Sequence, residues 1–159
     1  MSGSGSPSIH VPSPGVRVAI VASSWHDVVM DGLIEGAERA CAQAGAVPTV
    51  VRTAGSFELP LISLACARSG DFDCVVALGV IIRGGTPHFD YVCDATTTGL
   101  ASVALETGIP VGFGLLTCDT EAQALDRAGL PGSQEDKGAE ATWAALSSAA
   151  TLRALRELR

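Results

Sequence analysis

The residues of this chain best suited to chemistry lie together in one short run, Gly84 to His88. Two glycines and Thr86 form the kind of turn that binds anions where a strand passes into a helix. His88 follows, and histidine titrates near neutral pH, so it can transfer protons in either direction. The run therefore predicts an anion site with a proton carrier beside it, while a purely structural role for His88 at a helix start stays open.

The run must be positioned by the elements on either side of it. Nine apolar residues, Cys74 to Ile82, precede it and end at Arg83. This length and richness in Val and Ile are typical of a strand buried on both faces, as in a parallel sheet. Helical spacing begins at His88, so the run is predicted to connect a strand to a helix N-terminus.

The whole chain alternates strands and helices, which predicts a single α/β domain at residues 16–159. We expect a three-layer, flavodoxin-like sandwich whose four-stranded parallel sheet is flanked by helices on both faces. A Ser/Gly/Pro-rich segment, residues 1–15, is predicted to be a flexible arm. The predicted strands are 16–22, 47–53, 74–82 and 111–116, and the predicted helices are 26–44, 57–68, 88–106, 120–128 and 137–159, with a loop at 130–136.

Composition narrows the class of protein. The chain has 159 residues, of which 47% are apolar and 17% charged. Such an apolar surplus predicts a subunit interface and therefore a homo-oligomer. The net charge of −7 argues against non-specific nucleic-acid binding. No apolar run reaches the roughly 18 residues of a membrane-spanning helix.

The N-terminal segment lacks the apolar core of a secretion signal, so we expect a cytoplasmic protein. The five cysteines are widely spaced in apolar surroundings and form no Cys-x-x-Cys pair. They are predicted to be buried free thiols, with neither disulfides nor a metal site, and no cofactor motif is present.

Sorting the ten basic residues leaves Arg52, Arg83, Arg127 and Lys137 as candidates for anion binding. Five of the others fit positions near the ends of helices, where cations complement the helix dipole, and Arg17 begins an edge of the sheet. Arg127 also lies in a last turn, and Arg83 could be a salt-bridge partner, so a structural role stays open for both.

Two further turns follow predicted strands at the same edge of the sheet. Trp25, after the first strand, could cap the core or stack on a flat ligand. Ser56 and Glu58, after the second, are favoured as a helix N-cap and a first-turn acid, with polyol binding as the alternative. Together the turns suit a flat heterocycle with a hydroxylated tail and a second, phosphorylated substrate.

Four segments resemble the lumazine synthase family, and the resemblance extends in order over residues 16–158. It implies a transferase of riboflavin biosynthesis that needs no cofactor. Such an enzyme condenses 5-amino-6-ribitylaminouracil with 3,4-dihydroxy-2-butanone 4-phosphate to 6,7-dimethyl-8-ribityllumazine, releasing phosphate and water. Riboflavin synthase is a candidate partner. The segments are GSFELP at 55–60, VIIRGGTPHFDYVC at 80–93, QALDRAG at 123–129 and KGAEA at 137–141.

The resemblance also implies a role for each site residue. Trp25, where relatives often have Phe, would stack on the pyrimidine, and His88 would transfer protons. The pyrimidine and ribityl contacts would come from Ser56, Phe57, Glu58, Val80, Ile81 and Ile82. The phosphate would be held by Gly84, Gly85, Thr86 and Arg127.

The family's site lies between subunits, so the resemblance implies that Phe113, Arg127 and Lys137 act in the neighbouring chain's site. The loop at residues 130–136 is longer than in relatives that assemble sixty-subunit shells, which favours a pentamer. Three alternatives stay open: an archaeal-type riboflavin synthase on the same fold, a non-catalytic flavin- or lumazine-binding homologue, and a generic flavodoxin-like phosphate-binding domain.

Overall fold

The structure is a computed structural model that describes residues 9–158. Residues 1–8 of the predicted arm and Arg159, at the predicted end of the last helix, lie outside the described residues. Strands and helices alternate as predicted, and no helix within residues 9–158 combines the length and apolarity needed to cross a membrane. The strands are β1 (Arg17–Ser23), β2 (Val47–Thr53), β3 (Cys74–Ile82) and β4 (Val111–Cys118). The helices are α1 (Asp27–Ala44), α2 (Leu59–Ser69), α3 (His88–Thr107), α4 (Glu121–Leu125) and α5 (Lys137–Glu157).

The four strands form one parallel sheet in the order β2-β1-β3-β4. Helices α1, α4 and α5 contribute to the core on one face, and α2 and α3 contribute to the core on the other. This confirms the predicted three-layer α/β fold. The chain turns one way from β1 to β2 and the other way from β2 to β3, so the sheet order reverses between β1 and β3.

Strand alternation explains how both faces are filled. In β1, Val18 and Ile20 face the core beneath α1 and α5, while Ala19 and Val21 face the core beneath α2 and α3, and all four are fully buried. Successive side chains of a strand point to opposite faces, so a strand covered on both sides must be apolar throughout. That requirement produced the continuous apolar run by which β3 was predicted.

The largest differences between predicted and observed helix ends concern two helices. The predicted helix at 57–68 begins instead with one 3-10 turn, Ser56–Glu58, before α2. The predicted helix at 120–128 is shortened to α4, because the Asp126 carbonyl accepts hydrogen bonds from the Gln134 and Glu135 amides of the following loop. The loop therefore folds back onto the end of α4 and competes with continued helical bonding.

The described part of the N-terminal segment contacts the domain. The Ser13 amide donates to the Ala44 carbonyl at 2.8 Å, and the His10 ring lies 4.7 Å from the Trp143 ring of α5. The cysteines are unpaired; four are buried, and Cys93 is half-buried. Burial raises the pKa of Cys41 to about 11 and that of Cys74 to about 12, so these thiols stay protonated at neutral pH.

Helices α1 and α5 approach closely because Gly138 lies directly on the backbone of α1. A Cβ at this position would overlap the Leu33 carbonyl oxygen, a main-chain atom that cannot move aside cheaply. Close packing of this kind fixes α5 and the loop before it relative to the sheet.

We expect Gly138→Ala to lower the free energy of unfolding by about 3 kcal/mol. Alanine's higher helix propensity stabilises the helix by about 1 kcal/mol, but the overlap with backbone destabilises the fold by more than this. Gly84→Ala is the matched control, since no atom of residues 9–158 lies within 4 Å of a Cβ there. Chemical denaturation of both variants checks this, and equal stability of the two would contradict the close contact.

Candidate functional site

A cleft of about 450 Å³ opens beside β3 and the turns that follow β1, β2 and β3. In open α/β sheets, ligands bind outside the carboxyl ends of the strands where the strand order reverses, which here is between β1 and β3. The volume lies within the range of small-molecule sites. The cleft is lined by Trp25, His26, Ala54, Gly55, Ser56, Phe57, Glu58, Val80, Ile81, Ile82, His88 and Val92.

Two aromatic rings form the apolar part of the cleft wall. Trp25 is 67% exposed and Phe57 is 62% exposed, although large apolar side chains are normally buried. The indole of Trp25 lies against Gly55, where an added Cβ would be 3.5 Å from its Nε1. Trp25 therefore does not cap the core, and its ring is available for stacking on a planar ligand.

Ser56 departs from the favoured sequence interpretation, whereas Glu58 agrees with it as an acidic residue in the first turn. The Ser56 hydroxyl does not cap α2; it is buried and donates to the Val80 carbonyl of β3 at 3.3 Å. Gly79 permits this contact, because a Cβ there would lie 2.8 Å from the hydroxyl oxygen. Glu58 accepts a hydrogen bond from the Gly55 amide at 2.9 Å through Oε2. The N-cap prediction for Ser56 is wrong because Gly55 holds the N-cap position and Ser56 is the first residue of the 3-10 turn, with its hydroxyl directed to β3.

His88 lines the cleft from the first residue of α3. The preceding turn is open: Gly84, Gly85 and Thr86 are exposed, and no atom of residues 9–158 lies within 4 Å of a Cβ built on either glycine. The first amides of a helix carry partial positive charge and attract anions. The turn and the helix start therefore present a surface that suits an anion, with an imidazole next to it.

His26 is a cleft residue to which sequence reasoning gave no role. Its φ of 60° makes it the one non-glycine residue with positive φ among residues 9–158. Such backbone strain is concentrated at functional sites. Only the position directly after Trp25 could have pointed to it. The same described residues contain no group of three His, Cys, Asp or Glu side chains arranged to hold a metal ion.

The remaining candidates, Phe113, Arg127 and Lys137, do not belong to the cleft lining of the described chain. Phe113 is 47% exposed on β4, the outer strand of the sheet formed by the described residues. The Arg127 carbonyl accepts from the Lys137 amide at 3.0 Å, so the loop brings these two residues together. The chain thus carries a second group of candidate residues apart from its own cleft.

Arg127 and Lys137 are held in different ways. The Arg127 guanidinium donates to the Gln123 carbonyl at 2.9 Å. Within residues 9–158 its side chain forms no ion pair with a carboxylate. Lys137 contacts Glu135 and also pairs with Glu140 at 2.7 Å. Burial alone would lower the pKa of Lys137, but its hydrogen bonds to the two glutamates outweigh burial and raise it. Lys137 is therefore a fixed ammonium at neutral pH.

Two other basic candidates make structural contacts. Arg52 donates to the Ser23 carbonyl at 3.0 Å, joining β2 to β1. Arg83 pairs with Asp119 at 2.8 Å and with Asp90 at 3.3 Å. Of the two roles left open for Arg83, the salt-bridge role is the one present in the structure.

Comparison with known proteins gives a consistent result. The sequence profile of the family described as 6,7-dimethyl-8-ribityllumazine synthase matches residues 15–153. The chain is 60% identical to 6,7-dimethyl-8-ribityllumazine synthase of Streptomyces coelicolor, with 99% of this chain and 98% of the relative covered. The enzyme of the same name from Kocuria rhizophila is 61% identical, with 96% and 99% covered. That of Leifsonia xyli subsp. xyli is also 61% identical, with 98% and 99% covered.

Glu58→Ala is expected to lower the free energy of unfolding by about 1–2 kcal/mol, because it removes the carboxylate that accepts from the Gly55 amide. Glu58→Gln keeps an acceptor and should cost less. Glu106→Ala, which removes one exposed ion pair with Arg68, is the control and should cost below about 0.5 kcal/mol. Denaturation curves measure all three, and equal losses for Glu58→Ala and Glu106→Ala would contradict this geometry.

Proposed function

The chain belongs to the 6,7-dimethyl-8-ribityllumazine synthase family, and on that premise we propose that its cleft is the active site of a lumazine synthase. The reaction condenses 5-amino-6-ribitylaminouracil with 3,4-dihydroxy-2-butanone 4-phosphate and releases phosphate and water. One observation carries the proposal: two exposed rings, a hydroxyl, a carboxylate and an imidazole lie around a single cleft at the reversal of the sheet.

Each part of the cleft matches one part of the first substrate. Trp25 stacks on the flat pyrimidine, and Phe57 bounds the same space. The carbonyl and amide groups of Ile81 and Ile82, beside Val80, bind the pyrimidine edge. Glu58 and Ser56 bind the ribityl hydroxyls; the Glu58 carboxylate has a second oxygen beyond the one that accepts from Gly55.

The phosphate of the second substrate binds at the turn. Gly84 and Gly85 let the backbone amides approach the phosphate, and the Thr86 hydroxyl donates a hydrogen bond to it. The open surface around these glycines supports this assignment, since a Cβ there would meet no other part of the described chain. Placing the phosphate at the turn puts the rest of that substrate next to His88 and the pyrimidine.

Arg127, Lys137 and Phe113 complete the site of an adjacent subunit. Their separation from the chain's own cleft and the exposure of Phe113 on an outer strand support a site shared between copies. Tyr91 and Leu105, exposed on α3, add apolar surface for the interface. We infer a homopentamer, because the loop at residues 130–136 is ordered against α4 and would obstruct packing of pentamers into a shell.

The chemistry requires positioning more than reactive side chains. The amine of the pyrimidine attacks the ketone and a first water leaves as the imine forms. Phosphate is then eliminated, and the ribityl-bearing amine closes the ring on the remaining carbonyl with loss of a second water, so no enzyme nucleophile is used. His88 carries protons between these steps, and Arg127 with the turn amides stabilises the negative charge on the leaving phosphate. Holding both substrates together can supply up to about 7–11 kcal/mol of the acceleration.

We place the enzyme in the cytoplasm, where riboflavin synthase would consume its product.

The test is to mix the purified protein with both substrates and to follow lumazine absorbance and released phosphate against an enzyme-free control. The control is needed because the condensation also runs slowly unaided. Acceleration with one phosphate released per lumazine supports the proposal. A folded oligomer that gives no acceleration would contradict it; conversion of lumazine alone would then indicate the riboflavin synthase activity.

His88→Ala is expected to lower kcat by about 100-fold while leaving a rate above the uncatalysed one, because proton transfer is lost and positioning is kept. His10→Ala, a substitution outside the cleft, is the matched control and should keep the wild-type rate. Steady-state kinetics check both variants. Complete loss of catalysis in a folded His88→Ala oligomer would contradict the expectation that positioning of the substrates alone accelerates the reaction.

A further inference from the structure

We propose that Arg83 is a positioning residue that holds the turn from Gly84 to His88 in the shape that binds the phosphate of the second substrate. The inference rests on the proposed function and adds to it a residue that does not line the cleft. Its basis is a set of contacts that joins both ends of the turn to the sheet.

The contacts of Arg83 extend to β4, to the residue just beyond it and to α3. Its amide, at the end of β3, donates to the Cys118 carbonyl at the end of β4 at 2.9 Å. Its guanidinium Nε donates to Asp119 Oδ1 at 2.8 Å, just beyond β4. The same guanidinium contacts Asp90 Oδ1 at 3.3 Å, and its Cζ lies 4.1 Å from the centroid of the Phe89 ring.

Phe89 and Asp90 are the second and third residues of α3, directly after His88. Arg83 precedes the turn and these two residues follow it, so the side chain closes the turn into a loop fastened at both ends. Asp119 then ties that closed loop to β4. The start of α3, and with it His88, is fixed relative to the sheet through one guanidinium.

The turn has little other support in the described chain. Gly84 and Gly85 offer no side chains, and apart from the immediately adjacent residues no atom of residues 9–158 lies within 4 Å of a Cβ at either one. The His88 amide is 3.5 Å from Thr86 Oγ1, the outer limit of a hydrogen bond. A turn with so few contacts of its own depends on the anchoring at its two ends.

The chemistry of arginine explains why this residue suits the position. The planar guanidinium donates in two directions and still stacks on an aromatic face, whereas a lysine ammonium is a compact point charge without a stacking plane. Exposed ion pairs contribute little to global stability. Loss of Arg83 should therefore change the geometry of the turn far more than the stability of the fold.

The experiment compares Arg83→Met and Arg83→Lys with the control Arg17→Met. Arg17 makes a similar pair with Asp73, at 3.0 Å, and is equally exposed, at 47% against 44% for Arg83. It lies at the amino end of β1, whereas the turns that form the cleft follow the carboxyl ends of the strands. The wild type and all three variants are assayed as assembled oligomers, with KM measured for each substrate and an inhibition constant for inorganic phosphate.

For Arg83→Met we expect KM for the butanone phosphate and the inhibition constant of inorganic phosphate to rise together, on the order of 10-fold to 100-fold. KM for the ribitylaminouracil should change less than about threefold, because its contacts with Trp25 and Glu58 are untouched. Arg83→Lys should fall between the wild type and Arg83→Met. The melting temperature should stay within about 3 °C of that of Arg17→Met.

The outcomes separate the two proposals. A wild type that neither accelerates the condensation nor is inhibited by phosphate overturns the proposed function itself. An active wild type with Arg83→Met kinetics equal to those of Arg17→Met overturns the positioning role alone. Equal increases in both KM values, accompanied by a large fall in melting temperature, would also overturn it, because they would indicate general damage to the fold.

Discussion

The right-handedness of strand–helix–strand connections is the constraint on which the rest of this structure depends. From β1 the chain passes to β2 on one side, and from β2 it returns to β3 on the other. Right-handed connections in opposite directions place α1 on one face of the sheet and α2 and α3 on the other. The turns after β1 and β3 therefore diverge, and the cleft is the space between them. A sheet of the same strands without the reversal would have no such opening.

Positioning links the packing of the core to the chemistry of the cleft. Strand β3 is buried from Cys74 to Val80, so the backbone groups at its end and the turn beyond it start from a rigid support. Ser56 is held by a β3 carbonyl, Glu58 by the Gly55 amide, and Arg83 by Asp119. In the proposed reaction one substrate supplies its own nucleophile, and such support would let the residues bind, orient and transfer protons without forming bonds to carbon.

The sequence predicts an element most accurately where the local residue pattern and the tertiary environment favour the same secondary structure. The bounds of β2 and β3 agree with the predicted ranges because their apolar or β-branched runs end at turn residues. The end of α4 could not be predicted, because it depends on amides of residues 134 and 135 that arrive from the following loop. Ser56 was misassigned because a local capping rule cannot register the Val80 carbonyl, distant in sequence. His26 gave no signal beyond its position directly after Trp25, and the folded sheet brings it to the cleft.

The central claim, a site completed by a neighbouring subunit, is tested most directly by mixing two variants that are each strongly impaired. His88→Ala chains and Arg127→Ala chains are co-refolded in equal amounts, and activity is compared with that of each variant refolded alone. If the two residues act from different chains, about a quarter of the sites in mixed oligomers contain both native residues, and activity recovers to about that fraction of the wild type. If both act from one chain, no site is restored, and activity equal to the average of the two variants would contradict the claim.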